Sequence, residues 1–308
     1  MLRALSWSAR QGSGLLALGI FAGLLAPPLA ALFRDVVTIT VAGLMTLVLL
    51  RVDPARLLSY LRRPVMVAAL SAWVLLACPL LAFGVAWATG LDGPLGAGLV
   101  IMAAGCAATS SPAFARLVGL DGEVSLLVAL VTTLLVPFTA PPIALGLMGI
   151  DLAISLPGLM LRLVLVVGLP LLLSIAIRGV VARAALERAG PAVDGAVVWL
   201  VVFYGFGVMD GMLAKLLAEP AWVVGGLALA FAGNLGLNLV TALAFLPAGR
   251  RVALAGGLLS GNRNMALYLA VLPAATDDRI LLFFALCQFP LFLSPFLLRP
   301  VYARVRSG

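Results

Sequence analysis

From Val252 to Ala275 the chain is apolar for about the length of a membrane helix, except for Ser260-Gly-Asn-Arg-Asn-Met265 at its centre. An ionised guanidinium at mid-bilayer costs from about 3 to ~10 kcal/mol or more if it faces lipid, so Arg263 has to face protein or a polar cavity. The neighbouring amides and hydroxyl suit a helix interrupted at that depth. A membrane tolerates such a break only where protein or water surrounds the freed backbone groups. Charge on an interrupted helix at the midplane is the usual setting of solute transport.

The remainder of the sequence agrees with a bilayer. Of 308 residues, 64% are hydrophobic and only 10% charged, with a mean hydropathy of +1.20, so the fold class is an all-α polytopic membrane protein. At ~20 residues per crossing, about ten crossings use the whole chain as a single transmembrane domain. The net charge of +8 does not point to nucleic acid, because the basic residues sit at segment ends and form no single patch. Histidine is absent, and Cys78, Cys106 and Cys287 lie in apolar runs without metal-like spacing. No metal or organic cofactor is therefore expected. The segments also lack the deep acid, base or metal residues a membrane enzyme needs.

Apolar runs between charged or Gly/Pro punctuation fall at 12–33, 36–51, 66–89, 95–117, 123–148, 157–179, 193–214, 221–246, 252–275 and 279–300. With a cytoplasmic amino terminus, 15 of the 20 basic residues lie at the cytoplasmic face and three outside: Arg34, Lys215 and Arg279. Arg162 and Arg263 lie within segments. This bias supports a multi-pass protein of the cytoplasmic (inner) membrane with both termini inside. Arg3 and Arg10 before an apolar run also resemble a signal peptide, but the first segment is needed for the symmetry that follows. Val180–Gly190 reads as a cytoplasmic surface helix joining two halves.

Those halves, 12–148 and 157–300, echo one another. Segment four carries the polar break Thr109-Ser110-Ser111-Pro112, and segment nine carries Asn262-Arg263-Asn264. Pro137 with Pro141 in segment five matches Pro290 with Pro295 in segment ten; Ser111 to Pro137 and Asn264 to Pro290 each span 26 residues. Asp121 and Glu123 precede segment five as Asp277 and Asp278 precede segment ten, and carboxylates suit helix N-termini. Segments two and seven end alike, at Asp53 and Asp210. Five segments per half make the repeats inverted, an arrangement that supports alternating access around a midplane site.

Gly43-Leu-Met-Thr-Leu-Val-Leu-Leu-Arg-Val-Asp-Pro-Ala-Arg-Leu-Leu-Ser-Tyr-Leu-Arg-Arg-Pro64 resembles the second helix and following loop of the bile acid:sodium symporter family. The break at Thr109 and the run Thr133-Leu-Leu-Val-Pro-Phe-Thr-Ala-Pro141 resemble that family's fourth and fifth helices. The resemblance implies ten helices in panel and core domains, with helices four and nine unwound and crossing, and transport of organic anions with sodium. It places Ser111 and Thr133 at sodium-ligand positions, with Ser260 a further candidate. The family's next asparagine is Pro112 here. Its ninth-helix pattern Glu-x-Gly-x-Gln-Asn reads Leu259-Ser-Gly-Asn-Arg-Asn264, so the shared glutamate is absent and Arg263 replaces the glutamine. Sodium wants oxygen ligands and is repelled by a fixed cation, which makes sodium coupling doubtful.

An arginine offers a planar fork of donors for a carboxylate, sulfonate or phosphate, so the expected partner besides the lipid bilayer is a small organic anion. Half-helix N-termini are expected to aim at the same anion. Arg263 is read as the anion or gating residue, against a structural clamp paired with Asp210. Asn262, Asn264, Thr109, Ser110 and Ser111 are substrate contacts or partners for freed backbone. Asn234 and Asn238, four apart on one face, join helices or line a cavity, and Gln288 is open between the same roles. Thr132 and Thr139 face that choice too. The pairs Gly225-Gly226 and Gly256-Gly257 read as close helix contacts. Two other readings stand: a metalloid or cation efflux permease using Cys106, and a non-transporting membrane sensor. No feature of the sequence sets an oligomeric state.

Overall fold

A computed structural model describes residues 12–50, 64–120, 122–147, 149, 152–273 and 275–307. Arg3, Trp7, Arg10, Arg51, Asp53, Arg56, Arg62, Arg63 and Asp121 lie outside the described residues, as does most of the loop between the second and third expected segments. Among the described residues there are helices and no strand, apart from one isolated antiparallel bridge.

The first expected segment is two helices, α1 (Gly12–Leu25) and α2 (Pro27–Arg34), because Pro27 and Pro28 cannot continue the ladder of α1 and instead open α2. Then α3 (Val37–Leu50) leaves α2 at 69°. The long helix α4 (Pro64–Thr89) contains a π-helical turn at Trp73–Ala77 and ends on Gly90, whose φ of +63° suits a residue without Cβ. Two short helices follow, α5 (Gly93–Ala104) and α6 (Ser111–Leu117). Next, α7 (Gly122–Pro141) runs on as π-helical Pro142–Leu147.

In the second half, the Ser155 hydroxyl caps α8 (Leu156–Val180) by accepting from Gly158 N at 3.2 Å. The expected surface helix is not separate: α9 (Arg183–Val208) is continuous through Pro191. Only Val181 and Ala182 part it from α8, and its apolar C-terminal half holds the whole rod in place. The chain continues with α10 (Met212–Ala218), α11 (Pro220–Ala244), α12 (Arg250–Gly261) and α13 (Met265–Val271). It closes with α14 (Asp278–Leu286), capped by Asp277 Oδ1 accepting from Arg279 N at 2.8 Å, and α15 (Gln288–Ser307).

Among the described residues, five helices are long and apolar enough to cross a membrane, and up to seven spans result if each of two bent pairs is one. The surface agrees with lipid. Leu161, Leu165, Leu169, Leu172 and Leu173 of α8 are all exposed, and a helix apolar around its circumference needs a nonpolar surrounding. Helices α1 to α3 pack on α9, and α3 also on α8. Around α11 and α12 a second group forms with α4, α5, α7, α14 and α15. Phe33 stacks on Phe203 and Phe206, at 5.0 and 5.4 Å between ring centres, within the first group.

The contact of α11 with α12 is backbone-close. A Cβ at Gly257 or Gly261 would stand 2.6 Å from the carbonyl oxygen of Asn238 or Asn234, respectively. Gly256 and Gly226 likewise face side chains under 3 Å away, whereas Gly225 has nothing within 4 Å. Close packing through small residues is how helices associate where lipid competes equally for apolar surface.

Candidate functional site: the crossing of two interrupted helices

Both interruptions meet. Gly105 leaves α5 in an extended conformation, and the chain runs alongside Asn262–Asn264, between α12 and α13. Ala108 N donates to Asn262 O at 2.8 Å and Asn264 N to Cys106 O at 2.9 Å, giving the antiparallel bridge between Ala107 and Arg263. Two broken helices thus satisfy each other's main chain, as a nonpolar surrounding requires. The first break lies earlier than the sequence suggests. It opens at Gly105, while Ser111 and Pro112 already begin α6, where proline needs no N–H.

Arg263 is 3% exposed. Its Nε donates to Ser260 O at 2.6 Å, and its Nη1 donates to Val74 O at 2.9 Å and Gly105 O at 2.7 Å. Its Nη2 has no partner among the described residues. No carboxylate is paired with it there. Asp210, the acid the sequence offered, accepts from Arg34 at 2.9 Å instead, since both sit at the ends of their helices.

Each carbonyl that holds Arg263 has lost its helical donor for a definite reason. Gly105 is the residue that caps α5, and Ser260 lies in the last turn of α12. In α4 the Cys78 N–H reaches back five residues to Trp73 O. The same register would assign Val74 O to Pro79, which has no N–H, so the Val74 carbonyl is released. The countercharge of the guanidinium is therefore two helix C-termini and one freed carbonyl.

Asparagines extend the network. Asn234 Nδ2 donates to Gly261 O at 2.7 Å and to Asn262 Oδ1 at 3.0 Å, and Ser294 Oγ donates to the same Oδ1 at 3.1 Å. Asn264 is buried next to Cys106, whose thiol also neighbours Thr133. Thr133 Oγ1 donates to Ala129 O at 2.7 Å. Thr132 Oγ1 bonds back to Val128 O and accepts from Ala107 N at 3.2 Å, which ties α7 to the first break. Ser111 and Ser260 are fully buried, with hydroxyls that find no partner among the described residues. Thr109 and Ser110 are half-buried at the exit of the break.

Two candidates bond elsewhere. Asn238 Nδ2 donates to Tyr302 OH at 2.7 Å, joining α11 to α15. Gln288 Nε2 donates to Phe284 O at 3.2 Å, one turn back along the chain. Nothing in the sequence singles out Gly105, Ser294 or Tyr268, a buried residue of α13 whose ring packs beside Gly105 and whose hydroxyl has no partner among the described residues. For Val74, Pro79 inside an apolar run is the available signal.

A cavity of about 580 Å3 opens beyond the crossing, lined among others by Arg34, Thr38, Asp210, Lys215, Leu269 and Asp278. Leu269 lies about one helical turn past Met265, so the cavity reaches the far end of α13. That end is held from the other helix group: Thr38 Oγ1 donates to Ala270 O at 3.3 Å and Arg162 Nη1 to Val271 O at 2.9 Å. Beside the cavity, Lys215 and Arg279 both donate to the Glu219 carboxylate. These bonds, that of Lys215 first, hold its carboxyl below the usual carboxylate range.

A comparison with curated proteins finds none that match. The Sodium Bile acid symporter family matches residues 38–218, more than half of the chain. The matched span includes Val74, Pro79 and Gly105 but stops before Arg263. The members of this family are transporters. With its apolar helices and this match, the chain is a multi-pass membrane protein and belongs to the Sodium Bile acid symporter family.

Proposed function

We propose that the protein carries a small organic anion, a carboxylate or bile-acid-like solute, across the cytoplasmic membrane by alternating access. On this reading ten crossings form two inverted repeats, 12–148 and 157–300, with both termini in the cytoplasm. The observation that carries it is a surplus of buried donors at the crossing. Among the described residues, the obligate donors Arg263 Nη2 and Asn262 Nδ2 have no partner against the single obligate acceptor Asn234 Oδ1, and the hydroxyls of Ser111, Ser260 and Tyr268, which can donate as well as accept, are also unpaired. Unfilled N–H donors beside a fixed positive charge, with hydroxyls free to donate, favour a ligand that brings acceptors, and a carboxylate or sulfonate does so.

The solute enters through the cavity between α2–α3 with α9–α10 on one side and α13–α14 on the other, whose lining sets Arg34 and Lys215 against Asp210 and Asp278. Access alternates as the α1–α3, α8 and α9 group moves against the rest, with α13 between them. Sodium is not the coupling ion on this reading, because the fixed charge at the crossing is already positive.

The test is a thermal-shift screen of the purified protein against matched carboxylates, sulfonates, neutral amides and amines, followed by uptake of the hits into proteoliposomes. Anions alone are expected to stabilise the protein and accumulate. Equal stabilisation by the neutral or cationic analogues contradicts the reading.

A further inference from the structure

We propose that the guanidinium of Arg263 is the resident cation of a carbonyl-lined site, and that shortening this side chain turns the crossing into a binding site for a small free cation. Three main-chain oxygens from three different helices, those of Val74, Gly105 and Ser260, converge on Nε and Nη1 at 2.6 to 2.9 Å. None of the three is left over by accident. One is freed by the π-turn and Pro79, and the other two are the carbonyl ends of α5 and α12. Such ends carry partial negative charge and favour cations. Without the guanidinium, three buried carbonyls would lose the donors that pair them.

The side chain is 3% exposed and is paired with no carboxylate among the described residues. The attraction that holds it is therefore generic to cations of the right size and donor geometry. A covalently fixed cation further means that the three carbonyls are paired before any solute arrives and that they take up no alkali ion during turnover. This deepens the proposed anion transport by making its positive charge part of the chain. The cation site itself stands on the bond geometry alone.

Arg263→Ala and Arg263→Gln are compared with the unaltered protein by thermal melting in choline chloride, with millimolar guanidinium, sodium, potassium or urea added at constant ionic strength. The unaltered protein is expected to show no shift specific to any of these cations. Arg263→Ala is expected to melt roughly 5 °C or more below it, with guanidinium restoring at least half of the loss in a saturable manner. Urea, of the same shape but neutral, is expected to restore nothing. Arg263→Gln keeps an amide donor in the site and is expected to show the same rescue from a smaller deficit. Stabilisation of the unaltered protein by sodium over choline overturns the proposal. So does a deficit in the variants that no cation repairs, or one that urea repairs equally. Because no solute is transported in this assay, loss of the anion-transport reading leaves its outcome unaffected.

Discussion

Arg263→Ala is expected to cost the fold about 3 kcal/mol or more and to reduce anion uptake at least tenfold. The stability term follows from the acceptors left behind. Each buried carbonyl without a donor costs about 1–3 kcal/mol. Three are affected at once, from α4, α5 and α12, although their contributions do not simply add. Loss of uptake follows because the same side chain fixes the crossing and presents the unfilled Nη2. Arg263→Lys keeps the charge but loses the planar fork that reaches Ser260 on one edge and Val74 with Gly105 on another. It is expected to fall between the unaltered protein and Arg263→Ala in both melting temperature and uptake rate. A melting curve for Arg263→Ala that overlays the unaltered protein contradicts this account of the crossing.

Gly261→Val is expected to be at least as damaging. The new Cβ would stand 2.6 Å from the Asn234 carbonyl oxygen, and main chain cannot step aside as a flexible side chain does. Overpacking typically costs about 1–3 kcal/mol, and the upper end is expected where the obstacle is backbone. Separating α11 from α12 also pulls Asn234 away from Gly261 O and Asn262 Oδ1, so the second break loses its support. Gly225→Ala, on α11 with open space around it, is the control and is expected to melt unchanged. Yield of folded protein and its melting temperature read both. A well-folded, active Gly261→Val would show that the tight contact of α11 and α12 does not support the crossing.

The second interruption was legible because a guanidinium in an apolar run has few places to go. Sequence spacing also placed Asn234 and Asn238 on one face, and both do join helices. The first interruption was displaced because Gly105-Cys-Ala-Ala reads as helix by composition, while Thr109 to Pro112 reads as punctuation. Hydroxyls and proline suit a helix start equally well, and that is where Ser111 and Pro112 stand. What the sequence concealed most fully is what holds Arg263. Every residue has a carbonyl, so side-chain identity does not tell which carbonyls lack a donor, and among side chains the segments offer only Asp210 as a clamp partner for Arg263. Only the juxtaposition of a π-turn with Pro79 marks the Val74 oxygen as free. The same limit applies to α9, which runs on through Pro191 with its buried positions concentrated towards its C-terminal end.

The most direct trial of a chain-borne positive charge at the heart of an anion carrier is initial-rate uptake of a labelled carboxylate into proteoliposomes, with and without an inward sodium gradient. The account predicts uptake in sodium-free choline medium at a rate the gradient leaves unchanged, and its loss in Arg263→Ala. Uptake that appears only with the sodium gradient, or that persists undiminished in Arg263→Ala, would contradict it.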